Sequence, residues 1–225
     1  MLSGVILAGG GHAATQGENR AFYELEGQML IHKQIREMQA CCSEVTIVTD
    51  QPGAFLRAVD RSIRIISDYY PVSGPLSGMH AGLALAKNRH VWLLGCHMPF
   101  PSAAAAKLLH ERKLEGMDAI FPWIGDAPHP LHGIYNRDCA GRLEALLSQG
   151  CTTKADLLKA ISWQHMEEAE LREHGIDGGF VSAIQSKADW ERLSAERGAT
   201  VARRTHPLKS RRTVSNVIVK RVKSR

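Results

Sequence analysis

The sequence predicts an α/β fold in which helices cover both faces of a doubly wound, mostly parallel sheet and so form three layers. Short apolar, β-branched segments alternate with segments of helical period, which is the pattern of consecutive βαβ units. The first apolar segment also runs directly into a glycine loop, as buried strands of such sheets do. With 225 residues and 44% apolar side chains, the chain is long enough for one such domain.

Five strands are predicted along the chain. Residues 4–8 form a continuous apolar run, which is typical of a strand buried on both faces. Residues 45–49 and 63–67 are rich in Val, Ile and Thr, and strands at 90–95 and 118–122 follow them.

Helical segments are predicted between these strands. Ile31, Ile35 and Met38 recur at helical spacing within residues 29–41. Further helices are expected over residues 52–59, 78–87 and 102–115. In such sheets ligands bind beyond the carboxyl ends of the strands, so the loops at 9–20, 50–53, 68–78 and 95–101 are expected to form the site.

The charge is divided unevenly along the chain. Ten of the 28 Lys and Arg residues lie from Arg197 onward, where there is no acid, so residues 1–196 carry 18 basic and 23 acidic side chains. We therefore expect an α/β domain over residues 1–196 and a basic, flexible extension over residues 197–225. The acidic domain argues against nucleic acid as its partner. For the extension, a solvated segment and docking onto an acidic partner or nucleic acid both remain open.

The cysteines and the chain start predict a cytoplasmic protein without a membrane partner. The cysteines lack CxxC spacing, which favours reduced thiols, and they are Cys41, Cys42, Cys96, Cys139 and Cys151. No apolar run approaches the roughly 20 residues of a membrane helix. Residues 1–5 also lack the basic segment of a secretory signal.

The loop Leu7-Ala8-Gly9-Gly10-Gly11 is the first candidate site. Glycines after a strand allow a ligand to approach the backbone, and their N–H groups can hold phosphate. Arg20 can place a cation over those phosphates. The spacing matches neither the dinucleotide fingerprint nor a P-loop, so a plain tight turn also fits.

Three further segments carry candidate residues. Asp68 follows the third strand, before Gly74-Pro75-Leu76-Ser77-Gly78, and its carboxylate can reach a ribose or a metal. His97 follows the fourth strand, where a site residue and a structural histidine are both open. Residues 126–135 read as a loop that enters another strand.

In order and spacing, the four segments resemble the molybdenum cofactor guanylyltransferases, which have a nucleotide-diphospho-sugar transferase-like fold. The matching pieces are GVILAGG, GPLSGMHAGL, CHMPF and PLHGIY, and the resemblance spans roughly residues 4–195. It implies transfer of GMP from GTP to molybdopterin, with Mg²⁺ as cofactor and release of pyrophosphate.

The resemblance also implies roles for single residues. Residues 7–11 would hold the nucleotide, with Asp50 at the position of a nucleotide-contacting Asn. Arg20 replaces the family Lys, and His97 replaces the magnesium-binding Asp. Arg20 and His97 are therefore the catalytic candidates. Asp68 and His97 are the metal candidates, and Asp68 would also contact the nucleotide.

Several positions depart from the family pattern. The family loop continues LAGG-x-S-x-R-M-G-x-D-K, but Ala14 stands at the Arg, Gln16 looks like an insertion, and residues 183–189 lack both asparagines of the final motif. Mg²⁺ prefers oxygen ligands, whereas imidazole suits softer metals. Two main functions therefore stay open: an active guanylyltransferase, or an impaired relative that binds nucleotide, molybdopterin or a molybdoenzyme maturation partner. A nucleotidyltransferase of another specificity is the remaining alternative.

Five histidines lie in or beside the motif loops, namely His12, His80, His97, His129 and His132. A transition-metal or anion site and chance clustering both account for them.

Overall fold

The structure is a computed structural model that describes residues 1–9, 18–67, 70 and 74–195. Its strands are β1 (Leu2–Leu7), β2 (Glu24–Leu25), β3 (Gln28–Met29), β4 (Cys42–Val48), β5 (Arg64–Ile66), β6 (His90–Gly95), β7 (Ala119–Ile124), β8 (Ala127–Pro128), β9 (His132–Asn136) and β10 (Trp163–Glu167). Its helices are α1 (Leu30–Gln39), α2 (Pro52–Ala58), α3 (Pro75–Ala84), α4 (Ala103–Arg112), α5 (Ala140–Ser148), α6 (Lys154–Ala160) and α7 (Glu168–Glu173), and residues 187–195 are also helical.

The main sheet has the strand order β10-β7-β9-β6-β1-β4-β5, with β8 paired to β7. Strand β1 is central and pairs in parallel with both β4 and β6, and β5 and β10 also pair in parallel with their neighbours. Strand β9 is antiparallel to β6 and β7. The predicted three-layer, mostly parallel α/β fold is confirmed.

Alternate side chains of β1 enter two separate hydrophobic layers. Ile6 packs on the side covered by α1, α2, α4 and α7. Val5 packs on the side covered by α3, α5 and α6. Both side chains are almost completely buried, so the fully apolar run does predict a strand covered on both faces.

Helix α3 approaches β1 closely because glycines face the strand. A Cβ atom on Gly82 would lie 2.5 Å from Val5 Cγ1, and one on Gly78 would lie 3.3 Å from Leu7 Cδ2. This contact fixes α3 beside the carboxyl end of β1, where the predicted site begins.

The structure corrects some predicted boundaries. Helix α3 begins at Pro75 instead of residue 78, because Pro is suited to the first helical position, and it ends at Ala84 instead of residue 87. The segment 126–135 does enter a strand, β9, but we predicted none of the elements after it. No helix in the described part of the chain is long and apolar enough to cross a membrane. The predicted extension over residues 197–225 lies outside the described residues.

Candidate active site

A cleft of about 320 Å³ opens beyond the carboxyl ends of β1 and β6. The ends of these two neighbouring strands supply its floor through Leu7, Gly9 and Gly95. Its wall carries four polar side chains, one from the loop after β6 and three from other segments, and these are His97, Arg20, Lys154 and Gln185. The cleft therefore lies where the parallel strands predict a ligand site.

The chain that leaves β1 is held by side chains from two loops. The carbonyl oxygen of Ala8 accepts hydrogen bonds from Asn19 Nδ2 at 2.9 Å and from Thr49 Oγ1 at 3.2 Å. A Cβ atom on Gly9 would lie 3.3 Å from the backbone nitrogen of Asp50, so the turn passes closely over the end of β4. These contacts aim residue 9 into the cleft and leave Ala8 buried beneath it.

The loop that carries His97 is held from below by one buried glutamine. Gln34 of α1 has no exposed surface, and its Nε2 donates to Met98 O at 2.8 Å and Cys96 O at 3.1 Å, with Gly95 O at 3.3 Å. The sequence analysis missed Gln34. A polar residue on the apolar stripe of a predicted helix was the available signal.

The backbone of Ile184 joins two parts of the site. Its N–H donates to His97 O at 2.8 Å, and its carbonyl accepts from Arg20 Nη1 at 3.0 Å. Three segments that are distant in sequence are thereby fixed against one another. The side chain of Gln185, at one of the positions where the family has Asn, follows directly and reaches the cleft.

The His97 ring folds back over the end of β6. A Cβ atom on Gly95 would lie 2.5 Å from His97 Cε1, so glycine is required beneath the ring. Burial, together with the positive charges of Arg20 and Lys154, lowers the pKa of His97 to about 4. The imidazole is therefore neutral at pH 7.

Lys154 is the second cation of the cleft, and the sequence analysis missed it. It is the first residue of α6, directly after Thr153, whose hydroxyl accepts from Asp156 N in a capping box. The Thr-x-x-Asp spacing was the available signal, since it predicts that a helix begins there. That signal locates the helix start but not its neighbours in space.

A second cleft of about 580 Å³ adjoins the first. The two share four residues, which are His97, Leu131, Lys154 and Gln185. The rest of the second cleft is lined by Met98, by residues of the segment 124–130 that contains the β7–β8 turn, and by Gly178, Gly179, Val181, Ser182 and Ala183. His97 and Lys154 therefore lie at the boundary between the two clefts, where their side chains could contact one ligand in each cleft.

The structure brings together four of the predicted residues, Leu7, Gly9, Arg20 and His97. Ala8 and Asp50 lie behind and beside Gly9 and do not line the cleft. Gly10, Gly11 and Asp68 lie outside the described residues, as do Ala14 and Gln16.

The described lining does not fit Mg²⁺. Its polar side chains are a neutral imidazole, two cations and the single amide of Gln185, without a carboxylate, whereas Mg²⁺ needs several oxygen ligands. Among the residues that the structure describes, no group of three or more His, Cys, Asp or Glu side chains is placed to hold a metal ion.

The described histidines are dispersed. His132 is completely buried, with its ring between Trp92 and Phe180, and burial lowers its pKa to about 3. His80 packs against Tyr70, and only His97 and His129 line the two clefts among the histidines that are described. His12 lies outside the described residues.

Comparisons with known proteins agree with this architecture. A family model for the MobA-like NTP transferase domain matches residues 4–168. The molybdenum cofactor guanylyltransferase of Desulfosudis oleivorans is 28% identical over 198 residues, or 86% of this chain and 95% of that protein. The one from Syntrophotalea carbinolica is 24% identical over 191 residues, or 84% and 89%.

Among solved structures, the fold is similar to that of molybdopterin-guanine dinucleotide biosynthesis protein A from Archaeoglobus fulgidus. The TM-score is 0.72 at 22% identity, and the match covers 88% of this chain and all of the other. The family resemblance predicted from the four segments is confirmed.

Proposed function

The chain belongs to the MobA-like NTP transferase domain family, and from this we propose that it transfers GMP from GTP to molybdopterin and releases pyrophosphate. The observation that carries the proposal is the position of Arg20 and Lys154. Both cations line a cleft at the strand ends that also contains the glycine turn, and Lys154 lines the adjoining cleft as well.

The first cleft would hold GTP. Within residues 7–11, Leu7 and Gly9 line the cleft and would bind the base and ribose against the end of β1. Asp50, which lies beside Gly9 outside the cleft lining, and Asp68 would be further nucleotide contacts at its edge. One Arg20 nitrogen is used by Ile184 O, which fixes the guanidinium and leaves other N–H groups for phosphate oxygens. Lys154 would place a second positive charge beside the triphosphate, as a compact point cation.

The second cleft would hold molybdopterin. A phosphate oxygen of molybdopterin would attack the α-phosphorus of GTP, forming one P–O bond as the bond to pyrophosphate breaks. Little covalent chemistry is required of the protein in such a reaction, so positioning and charge neutralisation provide the catalysis. Arg20 and Lys154 supply the charge, and the neutral His97 would make a hydrogen bond at the boundary between the clefts.

Mg²⁺ is the cofactor that the family resemblance implies, with His97 and Asp68 as its candidate ligands. The described lining does not fit it, and we assign no step to it. A neutral imidazole suits softer divalent ions such as Zn²⁺ better than it suits Mg²⁺ or Mn²⁺. The assay therefore compares Mg²⁺ and Mn²⁺ for the unmodified chain and for a variant with an acidic residue at position 97.

The direct test is pyrophosphate release from GTP by the purified chain, with molybdopterin and either Mg²⁺ or Mn²⁺. The proposal expects turnover that depends on molybdopterin. His97→Asp restores the acidic residue of the family, and His165→Asp, which changes an exposed histidine on β10, is the matched control.

Turnover by the unmodified chain would contradict the impaired-relative hypothesis. If only His97→Asp turned over, the unmodified chain would be a binding protein for nucleotide, molybdopterin or a molybdoenzyme maturation partner. If the unmodified chain did not bind GTP at all, the assignment of the first cleft would be wrong. A cytoplasmic location would suit this biosynthetic role and the free cysteines.

A further inference from the structure

Three sulfur atoms meet at the end of the sheet opposite the clefts. Met38 lies in the last turn of α1, Cys41 follows that helix, and Cys42 is the first residue of β4. Cys42 pairs with Leu2 at the start of β1, whereas the first cleft begins at Leu7 at its other end. The sulfur cluster is therefore separate from the candidate active site.

The two thiol sulfurs are close enough to share one ion, and the Met38 sulfur lies near that of Cys42. Cys41 Sγ and Cys42 Sγ are 3.9 Å apart. A Cβ atom on Gly4 would lie 2.8 Å from Met38 Sδ and 3.3 Å from Cys42 Sγ, so those two atoms are no more than about 6 Å apart. Gly4 leaves the space that the sulfurs occupy.

The two thiols are poorly placed to form an ordinary disulfide with each other. Adjacent residues have Cα atoms about 3.8 Å apart across a trans peptide, whereas disulfide-bonded cysteines usually have Cα atoms about 4.4–6.8 Å apart. Both thiols are free in the structure and only partly buried, so they remain accessible to a ligand.

The thiol pair lies among charged groups. The charges of Lys107 on α4 and of Glu37 act on Cys41 in opposite directions, and the charge of Glu44 acts on Cys42. The nearby Glu44 carboxylate already accepts hydrogen bonds from Ser3 Oγ and Lys87 N, each at 2.6 Å. Sulfur is therefore the donor that this cluster offers.

We propose that Cys41, Cys42 and Met38 form a binding site for one Cu(I) ion. Thiolate and thioether ligands select soft ions, and Cu(I) is the soft monovalent ion that such ligands bind. Structural Zn²⁺ sites take four ligands from Cys, His, Asp and Glu, of which this cluster supplies only the two thiolates. Binding would release the two thiol protons, and the flexible Met38 side chain would turn its sulfur towards the ion.

The test is an anaerobic titration of the full chain with Cu(I) in competition with a chromophoric Cu(I) chelator. The unmodified chain should bind one equivalent, with only sulfur neighbours in the X-ray absorption spectrum. Loss of either thiolate in Cys41→Ser or Cys42→Ser should weaken binding by more than the roughly 10–100-fold that loss of an outer-shell partner costs. Met38→Leu conserves volume and should weaken it by about tenfold.

Cys151→Ser is the matched control, because Cys151 is also free and partly buried, and it should bind Cu(I) like the unmodified chain. Circular dichroism identifies any variant that does not fold, and Cys41→Ser remains informative if Cys42→Ser fails. Equal affinity in the folded Cys41→Ser variant would overturn the site. Equal affinity in Met38→Leu would overturn the three-sulfur arrangement. Neither result depends on GTP turnover.

Discussion

Replacing Gln34 by Leu tests whether one buried amide fixes the loop that carries His97. The variant keeps most of the side-chain volume but removes both N–H donors. Gly95 O retains another partner, because Met98 N donates to it at 3.1 Å. Cys96 O and Met98 O are the two acceptors for which Gln34 supplies the hydrogen bond shown by the structure.

The expected loss of stability in Gln34→Leu follows from those two acceptors. A buried carbonyl left without its partner costs roughly 1–3 kcal/mol. Gln34 Oε1 is itself buried and has no hydrogen-bond partner within the described part of the chain, so its removal offsets part of the loss. The net destabilisation should be about 3 kcal/mol, which lowers Tm by roughly 6–12 °C for a domain of this size.

The assay is thermal unfolding combined with GTP binding, and the control is Gln39→Leu. Gln39 lies on the same helix but is exposed, so this change should leave both quantities nearly unaltered. In Gln34→Leu the displaced loop should weaken GTP binding at a temperature where the variant is still folded. A Tm within about 1 °C of the unmodified chain, with unchanged GTP affinity, would refute the role given to Gln34.

Three other changes have defined outcomes. Gly82→Ala should lower the unfolding free energy in urea by about 1–3 kcal/mol despite its better helix propensity, because the new Cβ would lie 2.5 Å from Val5 Cγ1. His132 has a pKa lowered to about 3 by burial and gains its proton on unfolding, so stability falls as pH drops below about 6.5. In His132→Leu the unfolding free energy should fall less steeply with decreasing pH, by up to about 1.4 kcal/mol per pH unit. Denaturant titrations between pH 6 and 4 measure this slope, and the same slope in the variant and the unmodified chain would contradict the prediction. Lys154→Met should weaken GTP binding by about tenfold in calorimetry and reduce its salt dependence, whereas Lys159→Met, at the other end of α6, should not.

The sequence predicted the fold well because the strands around the site have continuous apolar runs. The strands that include residues 4–8 and 90–95 are buried on both faces, so their sequences contain little besides Val, Ile, Leu and Trp. Strand β10 lies at the sheet edge, and its residues, Trp163-Gln-His-Met-Glu167, do not alternate between polar and apolar. Its pattern is as compatible with a loop or a short helix as with a strand, which explains why it was missed.

The site was only partly predictable because its charges come from segments joined by tertiary contacts. Arg20 and His97 could be inferred, since each lies near the end of a recognisable strand or glycine loop. Lys154 reaches the cleft because Gly74, at φ +138°, lets the chain before α3 run directly beside Thr152; a Cβ atom there would lie 2.7 Å from Thr152 O. No local pattern encodes that approach.

The close approach of Gly74 to Thr152 also explains why the cleft carries more positive charge than the sequence motifs predict. The family has an acidic residue where this chain has His97, so the sequence predicts the loss of a metal ligand. It does not predict which groups would balance the negative charge of a bound nucleotide. In the structure burial is the main cause of the neutral imidazole, and the charges of Arg20 and Lys154 also disfavour a proton on it. The two cations that we propose to bind phosphate thus also act on His97, so removal of Lys154 should raise the pKa of His97 as it weakens GTP binding.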